Sequence, residues 1–324
     1  MLDARRRPPT PRRAGHVAPA AARRPTRGAA GAAGVASAGF GRKVALTLEM
    51  IKFQHTIFGL PFALLGAILA AEGLPTAAQL FWIILACVFA RSAAMAFNRL
   101  HDEPFDRLNP RTQGWALPAG LLSRRFVFVF CLASIAGFVF SAAMLNGLAL
   151  ALSPVALAIL LGYSVTKRLT WGSHFFLGLA LGIAPVGAWV AVRAELGGPP
   201  LLLGLGVLFW TAGFDILYSL ADDEVDRRLG LKSLPVRLGR ARALAASAFC
   251  HALAVGLFLA MIPLTRLGAY YLAAVAACGW LLVYEQRLIL PGDLSRLGRA
   301  FFVVNGWVSV LIFAGGLADV LLDR

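Results

Sequence analysis

The chain has 324 residues, 59% of them hydrophobic and only 15% charged, with 31 Lys and Arg against 16 Asp and Glu for a formal net charge of +15. Soluble domains carry about 45–50% apolar and about 25% charged residues, so this composition excludes an ordinary soluble enzyme and a chain disordered throughout. The charge alone would suggest a nucleic-acid partner, but its placement excludes that: residues 1–43 hold 10 of the 31 basic residues and one acid, Asp3.

That first stretch is built from Ala, Arg, Pro and Gly with almost no large apolar side chain. It cannot bury enough surface to offset its ordering entropy, which predicts a disordered basic tail over residues 1–43, lying near anionic lipid headgroups. Its Arg-rich composition also resembles a transit peptide, against which its prolines argue, and it has no apolar run of the signal-peptide kind.

The remainder, 44–324, reads as one all-α, multi-pass membrane domain. A spanning helix needs about 20 mostly apolar residues, and nine segments meet that criterion: 52–71, 77–97, 124–145, 147–164, 173–193, 199–219, 242–262, 267–284 and 300–321. Asn146-Gly147 joins the third and fourth as a tight hairpin, and Gly178-x3-Gly182 in the fifth suits close helix packing. Alternate connections differ sharply in charge: four of them carry sixteen Lys and Arg, the other four only Arg193 and Arg266. The positive-inside rule then places the N-terminus and the four basic connections in the cytoplasm and the C-terminus outside, in the cell (inner) membrane. Cys87, Cys131, Cys250 and Cys278 lie singly within apolar runs and read as small buried hydrophobes.

Carboxylates beside membrane spans are costly and mark function. Two clusters stand at the cytoplasmic ends of even-numbered spans, Asn98-Arg99-Leu100-His101-Asp102-Glu103-Pro104-Phe105-Asp106 and the run from Asp215 to Asp226. Helical spacing places Asn98, Asp102 and Asp106 on one face, and Asp215, Tyr218 or Ser219, Asp222 and Asp226 on another. Two such faces repel in a low-dielectric setting unless cations lie between them. Hard oxygen ligands of this kind suit Mg²⁺ held together with substrate phosphates. Lys52, Arg111, Lys167-Arg168 after Tyr163, and Lys232 lie on the same membrane face and are fit to bind phosphate oxygens. Arg91, on the face of Asn98, reads equally as a salt-bridge partner to the site or as a snorkelling side chain.

The Asn98-x3-Asp102-x3-Asp106 and Asp222-x3-Asp226 pair, the Tyr163-Ser164-Val165-Thr166-Lys167-Arg168 run and Gly230-Leu231-Lys232-Ser233 together resemble the UbiA superfamily of intramembrane aromatic prenyltransferases, over residues 45–320. Lys52-Phe53-Gln54-His55-Thr56-Ile57-Phe58 and Asp215-Ile216-Leu217-Tyr218 are similar to its 4-hydroxybenzoate polyprenyltransferase branch, some members of which act instead in the futalosine route to menaquinone.

The resemblance implies nine transmembrane helices around a central cavity with a cytoplasmic cap. It implies Mg²⁺-dependent transfer of a polyprenyl group from polyprenyl diphosphate to a small aromatic acid, either 4-hydroxybenzoate or a hydroxynaphthoate. Asn98, Asp102, Asp106, Asp222 and Asp226 match the metal-diphosphate motifs, Tyr163 and Lys167 a Tyr-x3-Lys element near the diphosphate, and Lys52 a position where many members carry Arg. Arg111 and Lys232 would add phosphate contacts, and Asp215 and Tyr218, deeper in the span, would meet the acceptor or take its proton. One position departs from the family pattern: Trp115 stands in a loop where a basic residue is common. Other activities of the superfamily share the metal motifs. A membrane transporter using intramembrane acids would need paired broken helices, and a CDP-alcohol phosphotransferase a single dense Asp-rich motif in a shorter bundle.

Overall fold

The computed structural model describes residues 40–289, 298 and 300–322. Helix α1 (Phe40–Met50) begins within the stretch read as a tail, the rest of which lies outside the described residues. A 3₁₀ turn (Phe53–Phe58) leads into α2 (Leu60–Ala71), followed by α3 (Ala77–Asp106), α4 (Arg124–Leu145), α5 (Gly147–Leu169), α6 (Ser173–Arg193) and α7 (Gly198–Ser219). Two short helices, α8 (Asp223–Arg228) and α9 (Leu234–Leu238), precede α10 (Arg240–Leu259), α11 (Ala269–Ile289) and, after a π-helical turn at Ala300–Val304, α12 (Asn305–Leu322). Among the described residues there is no strand.

Eight helical segments are long and apolar enough to cross a bilayer, and Thr56–Ala71 is a shorter apolar one. The protein is an integral membrane protein, and its outward faces carry exposed Phe81, Phe128, Phe249 and Trp280, which only lipid tails would solvate well. The first expected span, 52–71, is broken into the 3₁₀ turn and a twelve-residue helix. Pro61 explains the restart, because proline lacks an N–H and suits the first turn of a helix but not its interior.

The second span, in contrast, outruns its expected end. A capping box opens α3, with Thr76 accepting from the Gln79 amide and Gln79 from the Thr76 amide. Its 30 residues are about 45 Å long, against a hydrocarbon core of about 30 Å. The surplus carries Asn98, Asp102 and Asp106 on a continuous helix, as their spacing predicts.

The second acidic motif is organised differently. Helix α7 stops at Ser219, and Leu220, Ala221 and Asp222 donate to carbonyls three residues back before α8 starts with Asp223, Glu224 and Asp226 in its first turn. Carboxylates favour a helix N-terminus, where they complement unpaired amides and the helix dipole. Asp215 and Tyr218 therefore lie on α7 while Asp226 lies on α8, and the single face expected for all four does not form.

The core behind the site is aromatic: Phe62 meets Trp210 at 5.2 Å and Phe258 at 5.8 Å, and Trp210 meets Phe214 at 5.0 Å. Some of the polar groups within it are paired. Trp210 donates to Asn305 (2.8 Å), Asn305 to Glu285 (2.7 Å), and buried Asp319 accepts from the amides of Gly268, Tyr270 and Tyr271. Cys131, Cys250 and Cys278 are buried and Cys87 partly so, all as free thiols.

Helices α6 and α7 cross at backbone contact. A Cβ at Gly182 would stand 2.5 Å from the Gly204 carbonyl, and one at Gly178 would strike the Leu208 carbonyl. These neighbours are backbone and cannot turn aside. Gly182→Ala should destabilise the fold by about 1–3 kcal/mol, read as a lower melting temperature in detergent; Gly187→Ala, where nothing lies within 4 Å, serves as the control and should melt unchanged.

Candidate active site

A cavity of about 370 Å³ lies among α3, α4, α5 and α6. Along α3 its wall runs from Ile83 to Met95, about 18 Å at the helical rise. Leu152 and Ile159 of α5 and Leu181 of α6 make the wall apolar. Polar groups collect where α3 approaches its acidic end: Arg91, and Tyr163, whose hydroxyl contacts the Met95 sulfur at 4.0 Å. Among the described residues Arg91 has no ion-pair partner, and its buried Nε has no hydrogen-bond partner. It is neither the salt-bridge partner nor the snorkelling residue considered from sequence. It is a cation facing an apolar cavity, which suits an anionic group on whatever enters.

Beyond Met95 the helix presents the first motif. Asn98 donates to Asp102 (2.8 Å), Arg168 binds Asp102 (3.1 Å), and buried Arg99 pairs with Asp106 (3.4 Å). Glu103 points elsewhere, holding Arg107 and Arg124 at 2.6 Å each, and so ties α3 to the start of α4.

The chain then turns at Asn109–Thr112, where the Arg111 amide donates to the Asn109 side chain and the Thr112 hydroxyl to the Asp106 carbonyl. The turn delivers Arg111 to the second motif. Its Nε and one terminal nitrogen bind the two oxygens of Asp222 at 2.9 and 2.7 Å, and its other terminal nitrogen reaches the Tyr218 hydroxyl at 3.3 Å. Burial alone would lower the Arg111 pKa, but the Asp222 carboxylate and Tyr218 outweigh it and the pKa is raised. Arg111 thus stands between the two acidic motifs, where charge repulsion requires a cation. Asp222 and Asp226 are buried, while Asp223 and Glu224 pair outward with Arg227 and Arg228.

The remaining candidates divide. Lys232 donates to the Leu169 carbonyl at the end of α5 (3.1 Å) rather than to an acid. The Lys167 side chain lies outside the described ones. Asp215 binds His174 of α6 at 2.7 Å, and the other ring nitrogen of His174 accepts from the Leu234 amide (3.2 Å). An amide can only donate, so Nε2 is the acceptor and Nδ1–H donates to Asp215. Fully buried His174 therefore holds the Asp215 carboxylate in place and links it to α9.

His174 had no sequence signal, being a lone histidine some forty residues from its partner. Arg99 was legible only as a flanking charge and Arg168 as a phosphate-binding residue; the structure makes them partners of Asp106 and Asp102.

Asn98, Asp102, Asp106, Asp222 and Asp226 offer hard oxygens alone, the donor set Mg²⁺ prefers. Among the described residues no three acids converge as a closed cage. That also fits Mg²⁺, which is usually held by one or two carboxylates and completes its shell with water and phosphate.

Residues 59–307 match the UbiA prenyltransferase family. The chain belongs to that family. It is 32% identical to a 4-hydroxybenzoate octaprenyltransferase of Nitrosospira multiformis over 79% of this chain and 88% of that one, and equally to one of Photobacterium profundum, with the same coverage. The apo structure of a UbiA homolog from Aeropyrum pernix superposes with a TM-score of 0.74 at 39% identity, covering 82% of this chain and 98% of that one. A UbiA homolog from Archaeoglobus fulgidus bound to DMAPP and Mg²⁺ shares the fold, with a TM-score of 0.65 at 20% identity over 85% and 99% of the two chains. The chain is thus a prenyltransferase by family, with a helix-lined apolar cavity.

Lys52 lies at the same end in a left-handed backbone conformation (φ 51°, ψ 53°). Burial lowers its pKa, Arg99 and Arg111 lower it further, and Glu49 opposes them. A lysine whose pKa is lowered loses its charge at a lower pH than an ordinary lysine, so anion affinity here should fall as pH rises through that lowered pKa. Titrating inorganic pyrophosphate binding from about pH 7 to about pH 10 should show this alkaline decline, and Lys52→Arg should move it upward.

Proposed function

We propose that the protein transfers a polyprenyl group from polyprenyl diphosphate to 4-hydroxybenzoate, at the ring carbon ortho to the hydroxyl, as a step of ubiquinone-type quinone synthesis. The observation that carries this reading is the apolar cavity whose wall on α3 ends at Met95, three residues before the first acidic motif, and which contains, among the described residues, one unpaired cation, Arg91. A prenyl tail suits the apolar wall, a diphosphate the mouth, and the carboxylate of a small aromatic acid the guanidinium. The names of the curated relatives support the same acceptor.

Asn98, Asp102, Asp106, Asp222 and Asp226 would hold Mg²⁺, which when bound neutralises the diphosphate and makes it a better leaving group. Arg111, Lys52, Lys167 and Lys232 would bind or screen phosphate oxygens as the allylic C–O bond breaks and pyrophosphate leaves. Tyr163 and the apolar wall would exclude water from the allylic cation and face it with an aromatic ring. The electron-rich ring carbon then forms the new C–C bond, and the proton it loses passes to Asp215, whose carboxylate His174 orients. Tyr218, held by Arg111, would line the acceptor. The charge asymmetry of the connections puts this mouth in the cytoplasm and the C-terminus outside.

Membranes containing the protein, a polyprenyl diphosphate and Mg²⁺ should prenylate 4-hydroxybenzoate when it is offered beside a hydroxynaphthoate. EDTA should abolish transfer and Mg²⁺ restore it, and Asp102→Ala or Asp222→Ala should each slow it by about a hundredfold or more. Prenylation of the hydroxynaphthoate alone would overturn the acceptor; transfer to neither aromatic would overturn the reading. Arg91→Leu should raise the KM for the acceptor while leaving that for the prenyl diphosphate in place.

A further inference from the structure

Three cations converge on one indole ring at the acidic end of α3. The Arg99 guanidinium lies 4.0 Å from the centroid of Trp115, the Lys52 ammonium 5.3 Å and the Arg111 guanidinium 5.6 Å. All three are within cation–π range, for which tryptophan is the strongest partner among the side chains. They come from three separate segments: Lys52 from the link between α1 and the 3₁₀ turn, Arg99 from α3, and Arg111 from the loop that also carries Trp115. Like charges gathered in this way repel; Asp106 pairs with Arg99 and Asp222 with Arg111, and Glu49 acts on Lys52 without an ion pair. Among the described residues Lys52 has neither an ion pair nor a side-chain hydrogen bond. Its left-handed backbone is a conformation that a lysine seldom adopts and that persists only where surrounding contacts impose it.

We infer that Trp115 is a positioning residue: its ring gathers Lys52, Arg99 and Arg111 into one cluster that receives the diphosphate of the prenyl donor. An uncharged aromatic face suits this task better than an acid would. A carboxylate in its place would bind the cations firmly and compete with phosphate, whereas the ring attracts all three without itself accepting any of their N–H groups. The loop fixes the ring itself: the Trp115 amide donates to the Thr112 carbonyl, Trp115's own carbonyl accepts from Ala119, and Thr112 is anchored on Asp106. The same loop therefore sets ring, Arg111 and first acidic motif in one frame. Trp115 touches no phosphate in this arrangement; it acts through the three cations.

The inference rests on the proposed function, and calorimetric titration of the full chain in detergent with Mg²⁺ and inorganic pyrophosphate separates the two. Wild-type protein should bind pyrophosphate, Trp115→Phe should bind within about threefold of it, and Trp115→Leu should bind about tenfold or more weakly, by the loss of the cation–π contacts. In turnover Trp115→Leu should raise the KM for the prenyl diphosphate and leave the KM for the aromatic acid unchanged. Equal affinity of the leucine and wild-type chains overturns the inference and leaves the reading standing; no binding by the wild-type chain overturns both. Should the leucine variant fail to fold, the wild-type chain still decides. The emission that is lost on Trp115→Phe substitution must change when pyrophosphate is added, since phosphate alters the charge facing the ring while the cations stay over it, and unchanged emission overturns the inference.

Discussion

The acidic end of the bundle depends on arginine. Asp102, Asp106 and Asp222 are brought together at the edge of a low-dielectric slab, where uncompensated carboxylates would repel and resist burial. Arg168, Arg99 and Arg111 each take one of them, and each comes from a different part of the chain. The bidentate Arg111–Asp222 pair matters most, because it joins the loop after α3 to the start of α8 and so closes the first motif onto the second. Since a guanidinium can exchange one oxyanion for another at little geometric cost, the groups that steady these carboxylates are also suited to phosphate oxygens.

Below that mouth the chemistry changes abruptly. The cavity wall is mostly hydrocarbon, with Arg91 its one charged side chain among the described residues, so a charged headgroup and an apolar tail can each occupy a matched environment without crossing the other's. An allylic cation formed between them would meet little water. His174 contributes at a distance: its fixed tautomer leaves Asp215 bonded at one oxygen, and its contact with the Leu234 amide couples that carboxylate to the short helices over the mouth.

Much of this was legible in the chain. Apolar runs of about twenty residues located the spans, and the four-residue spacing of Asn98, Asp102 and Asp106 held because nothing interrupts α3. The spacing of Asp215, Asp222 and Asp226 misled, since three adjacent acids start a new helix more readily than they continue an old one. Pro61 was visible in the first span, yet hydropathy averaging hides such a break. Arg91, His174 and Trp115 were harder for a different reason. Each owes its role to residues that approach it only through tertiary packing, and a lone polar side chain in a span or a lone aromatic one in a loop has no periodicity to announce it.

One rod carries both halves of the site. Helix α3 bears the cavity wall from Ile83 to Met95 and, without a break, the carboxylates from Asp102 to Asp106. On the proposed reading a donor is therefore measured from its headgroup: the phosphate end and the reacting carbon keep one register for every donor, and additional isoprene units are accommodated only at the far end, past Leu145 and Leu196. The residues that read the length of the tail are thus separated, by the span of a rigid helix, from those that break its bond, and the two can vary independently.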